Sequence, residues 1–124
     1  KVIFLEAGVF WIPPYFWRLD MDWKGLRMQT PWVKKPPSEY FRENMFVGSQ
    51  PIEITPDREA FMSMLKWLSA EKTLLFCSDY PHWDFDSPTH AFPKMDNELR
   101  QRIFYENARE LYRLPDVAAD SKGA

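Results

Sequence analysis

Residues 73–86 read Thr73-Leu74-Leu75-Phe76-Cys77-Ser78-Asp79-Tyr80-Pro81-His82-Trp83-Asp84-Phe85-Asp86. Leu74 to Cys77 is an apolar run with the length and composition of a strand buried on both faces. It then turns abruptly polar: Asp79, His82, Asp84 and Asp86 fall within eight residues, interleaved with Tyr80, Trp83 and Phe85. Pro81 has no N–H for a ladder and disfavours a helical Tyr80, so the strand ends about here. The stretch therefore places a carboxylate on a loop at the carboxyl end of a buried strand. Open α/β sheets and α/β barrels hold their chemistry in that place.

Upstream of this stretch the chain alternates between strand-like and helix-like patterns. Lys1 to Leu5 is β-branched and apolar, broken by Glu6-Ala7-Gly8, which puts Glu6 at a second strand end. Phe16, Leu19, Trp23 and Leu26 recur three or four apart and predict a helix over Tyr15–Met28 facing inward along that stripe. Pro31 to Pro37, with three prolines, is a break. Ser38 is the expected N-cap of a short helix through Arg42. Met45 to Gln50 reads as a strand stopped by Pro51. Thr55-Pro56-Asp57 carries cap, proline and acid in the order of a helix start. That helix should run to about Ser69 with Phe61, Met64, Leu65 and Leu68 inward. Lys72–Ser78 is the expected third strand.

Downstream, Ser87 to Met95 is irregular. A helix opening at Asp96 or Asn97 should turn Leu99, Ile103 and Phe104 inward. Asn107-Ala108-Arg109-Glu110 has the spacing of a capping box, predicting a last short helix that carries Leu111 and Leu114. Residues 116–124 read as a frayed polar tail.

Strand, helix, strand, helix, strand, helix predicts a parallel sheet with right-handed crossovers. Three strands leave the first and third as apolar edges. The chain also opens in mid-strand, on Lys1-Val2-Ile3-Phe4-Leu5. Both features predict that residues 1–115 are the C-terminal part of a larger domain whose N-terminal part supplies the neighbouring strands.

Composition narrows the class. With 45% hydrophobic and 27% charged residues, the chain is globular. A net charge of −2 without a basic run speaks against a nucleic-acid surface. The single cysteine excludes an internal disulfide and fits a cytoplasmic setting. No apolar run approaches the ~20 residues of a membrane span, and the apolar stretch Val2 to Leu5 is far too short to read as a signal peptide. Aromatic content of 17% predicts a heavy aromatic core or an aromatic-walled cleft.

Three stretches together resemble the metal-dependent amidohydrolase superfamily. They are Leu5-Glu6-Ala7-Gly8 through Trp11-Ile12-Pro13 to Arg18-Leu19-Asp20; Pro37-Ser38-Glu39-Tyr40 with the strand ending at Gln50-Pro51; and Leu75 to Asp84 with Asn107-Ala108-Arg109 and Leu111-Tyr112. The resemblance is to the "amidohydrolase 2" branch, which includes aminocarboxymuconate-semialdehyde decarboxylase. It implies an α/β fold, the C-terminal portion of a (β/α)8 TIM barrel, about strands 6–8 with their helices. It further implies that Asp79 binds an active-site divalent metal, zinc or similar, and accepts a proton from the water the metal activates. The other ligands would lie upstream of Lys1. Where the decarboxylases place a histidine after strand six, this sequence has Glu6.

From the residues alone, Asp79 reads equally as metal ligand and as turn former; the resemblance favours the ligand. His82 stands within reach of the same mouth, as a hydrogen-bond partner of substrate or Asp79, or as a packed loop histidine. Glu6 is an acid or base facing the pocket, or the ion-pair partner of an arginine such as Arg18. Trp11 is a candidate pocket wall, while most of the tryptophans read as packing. The expected activity is hydrolysis of a small carboxylated or aromatic substrate through a metal-activated water, with non-oxidative decarboxylation as the alternative. A non-catalytic barrel relative and a small binding module are the rivals from other classes. Expected partners are the small-molecule substrate and the rest of the barrel, with homo-oligomerisation left open.

Overall fold

Three short strands run side by side in one direction. In the computed structural model, which describes residues 1–115, β1 is Val2–Phe4, β2 is Met45–Gly48 and β3 is Leu74–Leu75. The sheet order is β1-β2-β3 and both pairings are parallel, with Val2 opposite Met45 and Val47 opposite Leu74. Parallel neighbours need long crossovers. Helices α1 (Ile12–Leu26) and α2 (Pro37–Asn44) make the first, and α3 (Arg58–Leu68) and α4 (Ala70–Thr73) the second. After β3 come α5 (Asn97–Gln101), a π-helical stretch over Arg102–Glu106, and α6 (Asn107–Tyr112). The expected tail at 116–124 lies outside the described residues. No helix among them is long and apolar enough to cross a membrane.

The helices start where backbone chemistry allows, which is not always where the sequence pattern suggested. α1 begins at Ile12 rather than Tyr15, because Pro13 and Pro14 fit a first turn whose N–H groups have no helical partner. Its inward stripe keeps Ile12 buried and Phe16 partly so, but Leu26 is exposed. Ser38 does not cap α2. It lies inside the helix, and its N–H donates to Asp20 Oδ1 at 2.9 Å, so a carboxylate on α1 does the capping. At α3 the cap is Asp57 rather than Thr55: Asp57 Oδ1 accepts from the N–H groups of Glu59 and Ala60.

β3 is shorter than the expected Lys72–Ser78. On its entering side, the Thr73 hydroxyl donates to the carbonyls of Leu68 and Ser69, which holds Thr73 in α4. On its leaving side, the Phe76 N–H turns to the carbonyl of Ile103, within the π-helical stretch. The third strand's outer side is thus met by the last helices rather than left bare. β1 keeps its apolar margin, with Val2 50% and Leu5 62% exposed.

Asn107 is no cap. The helix runs through it, Asn107 is 1% exposed, and its Nδ2 donates to the carbonyls of Ala70 (3.1 Å) and Leu74 (2.8 Å). One amide thereby joins α4, β3 and α6. Leu114, expected on the last helix, lies beyond its end and is exposed. Val9, Ile12, Val47, Phe61, Leu65, Leu68, Leu74 and Ile103 form the core between sheet and helices. The irregular 87–95 segment adds Ala91, Phe92 and Met95 to it. Phe92 packs edge-to-face on Phe61 and Phe104, and Phe104 stacks on Phe76 at 4.5 Å.

Candidate functional site

The carboxyl ends of all three strands meet at one cleft. It measures about 110 Å³ and is lined by Leu5 and Glu6 after β1, Gln50 after β2, and Cys77 and Asp79 after β3. Glu6 and Asp79 both have left-handed backbones, each with φ of 55°. Outside glycine that conformation is uncommon, though Asp tolerates it better than most residues. Backbone strain of this kind gathers at functional sites.

The floor of the cleft explains a glycine. A Cβ on Gly48 would lie 2.9 Å from both Cys77 Sγ and Leu5 Cδ2, so two lining side chains fill the space left open there. Beside it, buried Ser49 continues the sheet by other means. Its N–H donates to the Leu75 carbonyl at 2.9 Å, and its hydroxyl accepts from the Cys77 N–H at 3.0 Å. That holds the chain straight for two more residues before Asp79. Burial pushes the Cys77 thiol above its ordinary pKa; the neighbouring Asp79 charge adds to this, while the Ser49 hydrogen bond opposes it.

The loop beyond Asp79 is closed on itself. Asp86 N–H donates to the Ser78 carbonyl at 2.8 Å, His82 N–H to the Asp79 carbonyl at 2.9 Å, and Phe85 N–H to the His82 carbonyl. Tyr80 and Phe85 meet edge-to-face at 5.6 Å. Gln50 Nε2 reaches the Asp84 carbonyl at 3.4 Å and ties this loop to the end of β2. Asp86 is half-buried, with Oδ2 unpartnered; burial raises its pKa, and the Asp84 charge adds to the rise.

Within the loop, Asp79 Oδ2 and His82 Nδ1 are 2.7 Å apart. One ligand atom from each of Asp79, His82 and Asp84 falls within 4.8 Å of the others. Two carboxylates and an imidazole suit zinc and similar divalent ions. The 2.7 Å contact is a hydrogen bond, however. Two ligands of one tetrahedral zinc, each with a bond of about 2.0–2.2 Å, stand about 3.3 Å apart. As placed, His82 orients the Asp79 carboxylate, and Asp79 Oδ1 accepts no hydrogen bond from a described residue. This is the way outer partners hold ligating groups at metal sites.

The structure thus brings Asp79 and Glu6 to one cleft, with His82 bonded to Asp79 from the loop outside its lining, and sets Trp11 apart. The Trp11 indole N–H donates to the Ala7 carbonyl at 2.9 Å, and its ring meets Phe4 and Tyr15 edge-to-face, away from the cleft lining. Trp17 packs on Trp67, and Trp23 donates to the Val33 carbonyl. Arg18 pairs with Asp22 on its own helix at 3.1 Å, so the suggested Glu6–Arg18 pair does not form. Glu6 has no ion-pair partner among the described residues and faces the cleft.

Three residues of the site escaped the sequence reading. Gln50 and Ser49 looked like the end of a strand, with Pro51 as the only hint of a turn. Glu53 drew no reading at all. Its carboxylate accepts the N–H groups of Val9 (3.0 Å) and Phe10 (3.3 Å), bracing the loop that leaves Glu6. Gly8, with φ of 66°, leaves room for it, since a Cβ there would lie 2.4 Å from Glu53 Oε1.

The family model described as amidohydrolase matches residues 1–114 of the chain. No curated protein matches it.

Proposed function

The chain belongs to the amidohydrolase family, a metal-dependent, hydrolase-type superfamily, and on that premise we propose that it serves hydrolysis of a small carboxylated or aromatic substrate at the cleft around Asp79. One observation carries the reading. Asp79 is held in a left-handed backbone at the carboxyl end of β3, in a cleft that the ends of β1 and β2 also line. A divalent ion bound there supplies a water whose pKa falls to about 7.

The chain's own residues do the rest. Asp79 would hold the ion and accept the proton its water gives up, while His82 steadies the carboxylate at Oδ2. Glu6 faces the same cleft as a second carboxylate, placed to take up or return a proton at the substrate. Leu5 and the Cys77 side chain supply an apolar wall for an aromatic or aliphatic group. Asp84 stands close enough to add a second carboxylate to the ion. The remaining ligands and the other wall of the pocket belong, on this reading, to neighbouring barrel strands. The chain by itself should therefore hold a metal weakly and turn over little substrate.

Decarboxylation of an aromatic acid is the second reading. The resemblance to the decarboxylase branch favours it, and Glu6 in place of that branch's histidine argues against it. The test is paramagnetic. Mn²⁺ titrated into the labelled chain should broaden the NMR signals of Glu6, Gln50, Asp79 and His82, and Asp79→Asn should abolish the effect. Broadening elsewhere, or broadening that survives Asp79→Asn, would refute the site. In ¹⁸O-labelled water, product from active protein should carry the label if the reaction is hydrolysis. Release of CO₂ without label would establish the decarboxylase.

A further inference from the structure

The amino ends of the same strands enclose a second cavity, of about 460 Å³, on the opposite side of the sheet from Asp79. Lys1 stands just before β1, Lys72 just before β3, and Arg42 on the last turn of α2, which runs directly into β2. Arg102 and Arg113 come from the final helices. Five cationic side chains line it against one carboxylate, Glu110, in a chain whose net charge is −2.

Not all five are free. Arg102 is taken: it bonds Glu106 at 3.1 Å and Glu110 at 2.6 Å. Among the described residues, the Lys1 ammonium donates only to the neutral Glu43 carbonyl. Arg42, Lys72 and Arg113 donate from their side chains to no described residue. Unbalanced like charges converging on one concave surface raise the local potential and attract counter-ions. Asn107, 1% exposed, closes the inner wall. Phe46 and Leu111 give the cavity an apolar floor.

The geometry points to a binding site for a multivalent oxyanion, a phosphate ester or a polycarboxylate, at the amino end of the sheet. Arg42, Lys72 and Arg113 form the charged clamp, with Lys1 beside them. Arginine grips such groups bidentately and lysine as a point charge. The site is separate from the cleft around Asp79 and does not depend on its chemistry. An anion held here joins the starts of β1 and β3 to the ends of α2 and α6, and so stabilises the sheet from beneath.

The test is calorimetric titration of the chain at low ionic strength, first with inorganic pyrophosphate and then with citrate. The expected result is saturable binding of one anion per chain, together with an anion-dependent rise in melting temperature. Arg42→Ala and Lys72→Ala should each weaken binding about tenfold, the worth of one charge-assisted hydrogen bond. Both residues are exposed, so both variants should melt like the parent when no anion is present. Lys34→Ala and Lys35→Ala, on the surface outside the cavity, should bind like the parent. Tighter pyrophosphate binding marks a phosphate ester as the ligand, and tighter citrate binding a polycarboxylate. No saturable binding of either anion, or an equal loss in the Lys34 and Lys35 variants, would overturn the site.

Discussion

The two ends of this small sheet carry opposite charge. At the carboxyl end stand Glu6, Asp79 and Asp84; at the amino end, Lys1, Arg42, Lys72, Arg102 and Arg113. The segregation follows from strand direction. In a parallel sheet, residues that precede strands gather at one end and residues that follow them gather at the other. β1 is preceded by Lys1 and followed by Glu6, and β3 by Lys72 and Asp79. An antiparallel pairing of the same segments would have mixed the signs and built neither site.

The contrast breaks most severely at its acidic end. Within the complete barrel, Asp79→Asn should lower metal-dependent turnover by about 10²–10⁴, the worth of a general base, and in the chain itself it should abolish Mn²⁺ broadening. Lys72→Ala should leave both unchanged, which a kinetic assay beside the titration will show. If Lys72→Ala also disables the mouth, the two ends are not independent.

Asn107 tests what separates them. Asp in its place can give no proton to the Ala70 and Leu74 carbonyls and brings a charge close to both. Asn107→Asp should cost about 3 kcal/mol or more in urea unfolding. His82→Gln acts at the mouth alone. It should weaken Mn²⁺ binding about 10–100-fold, as loss of a ligand-orienting partner does, without shifting the unfolding midpoint.

The smallest effect lies at the basic end and depends on pH. Hydrogen bonding to Arg102 lowers the pKa of Glu110. The folded state therefore binds this proton less readily than the unfolded chain. The stabilisation is present above the ordinary carboxylate value and lost as pH falls through the lowered one. Glu110→Gln should flatten that acid-side loss in a series of thermal melts. It should also leave Arg102 paired with Glu106 alone and remove the cavity's one carboxylate, tightening pyrophosphate binding about threefold, the scale of an exposed charge pair.

Much of this was legible in the sequence. The alternation of apolar runs and helical stripes gave the parallel sheet, because strand and helix periodicities differ and Pro51 and Pro81 punctuate them. The position of Asp79 beyond a strand end was legible because a fully apolar run gives way there to a loop marked by Pro81. The length of β3 was not, since it depends on where the Thr73 hydroxyl and the Phe76 N–H find partners. Asn107 was misread because its local spacing matched a cap, while its partners lie 37 and 33 residues away. Glu53 was invisible for the same reason, reaching back 44 residues to Val9. The cationic cavity needed the topology first, since its residues are scattered from Lys1 to Arg113.

The positive φ at Glu6 and Asp79 bears on how such a protein ages under mutation. Glycine would relax either position by about 1 kcal/mol. A chain with glycine at both positions would be sturdier, and on the proposed reading it would also lose both acids of the mouth.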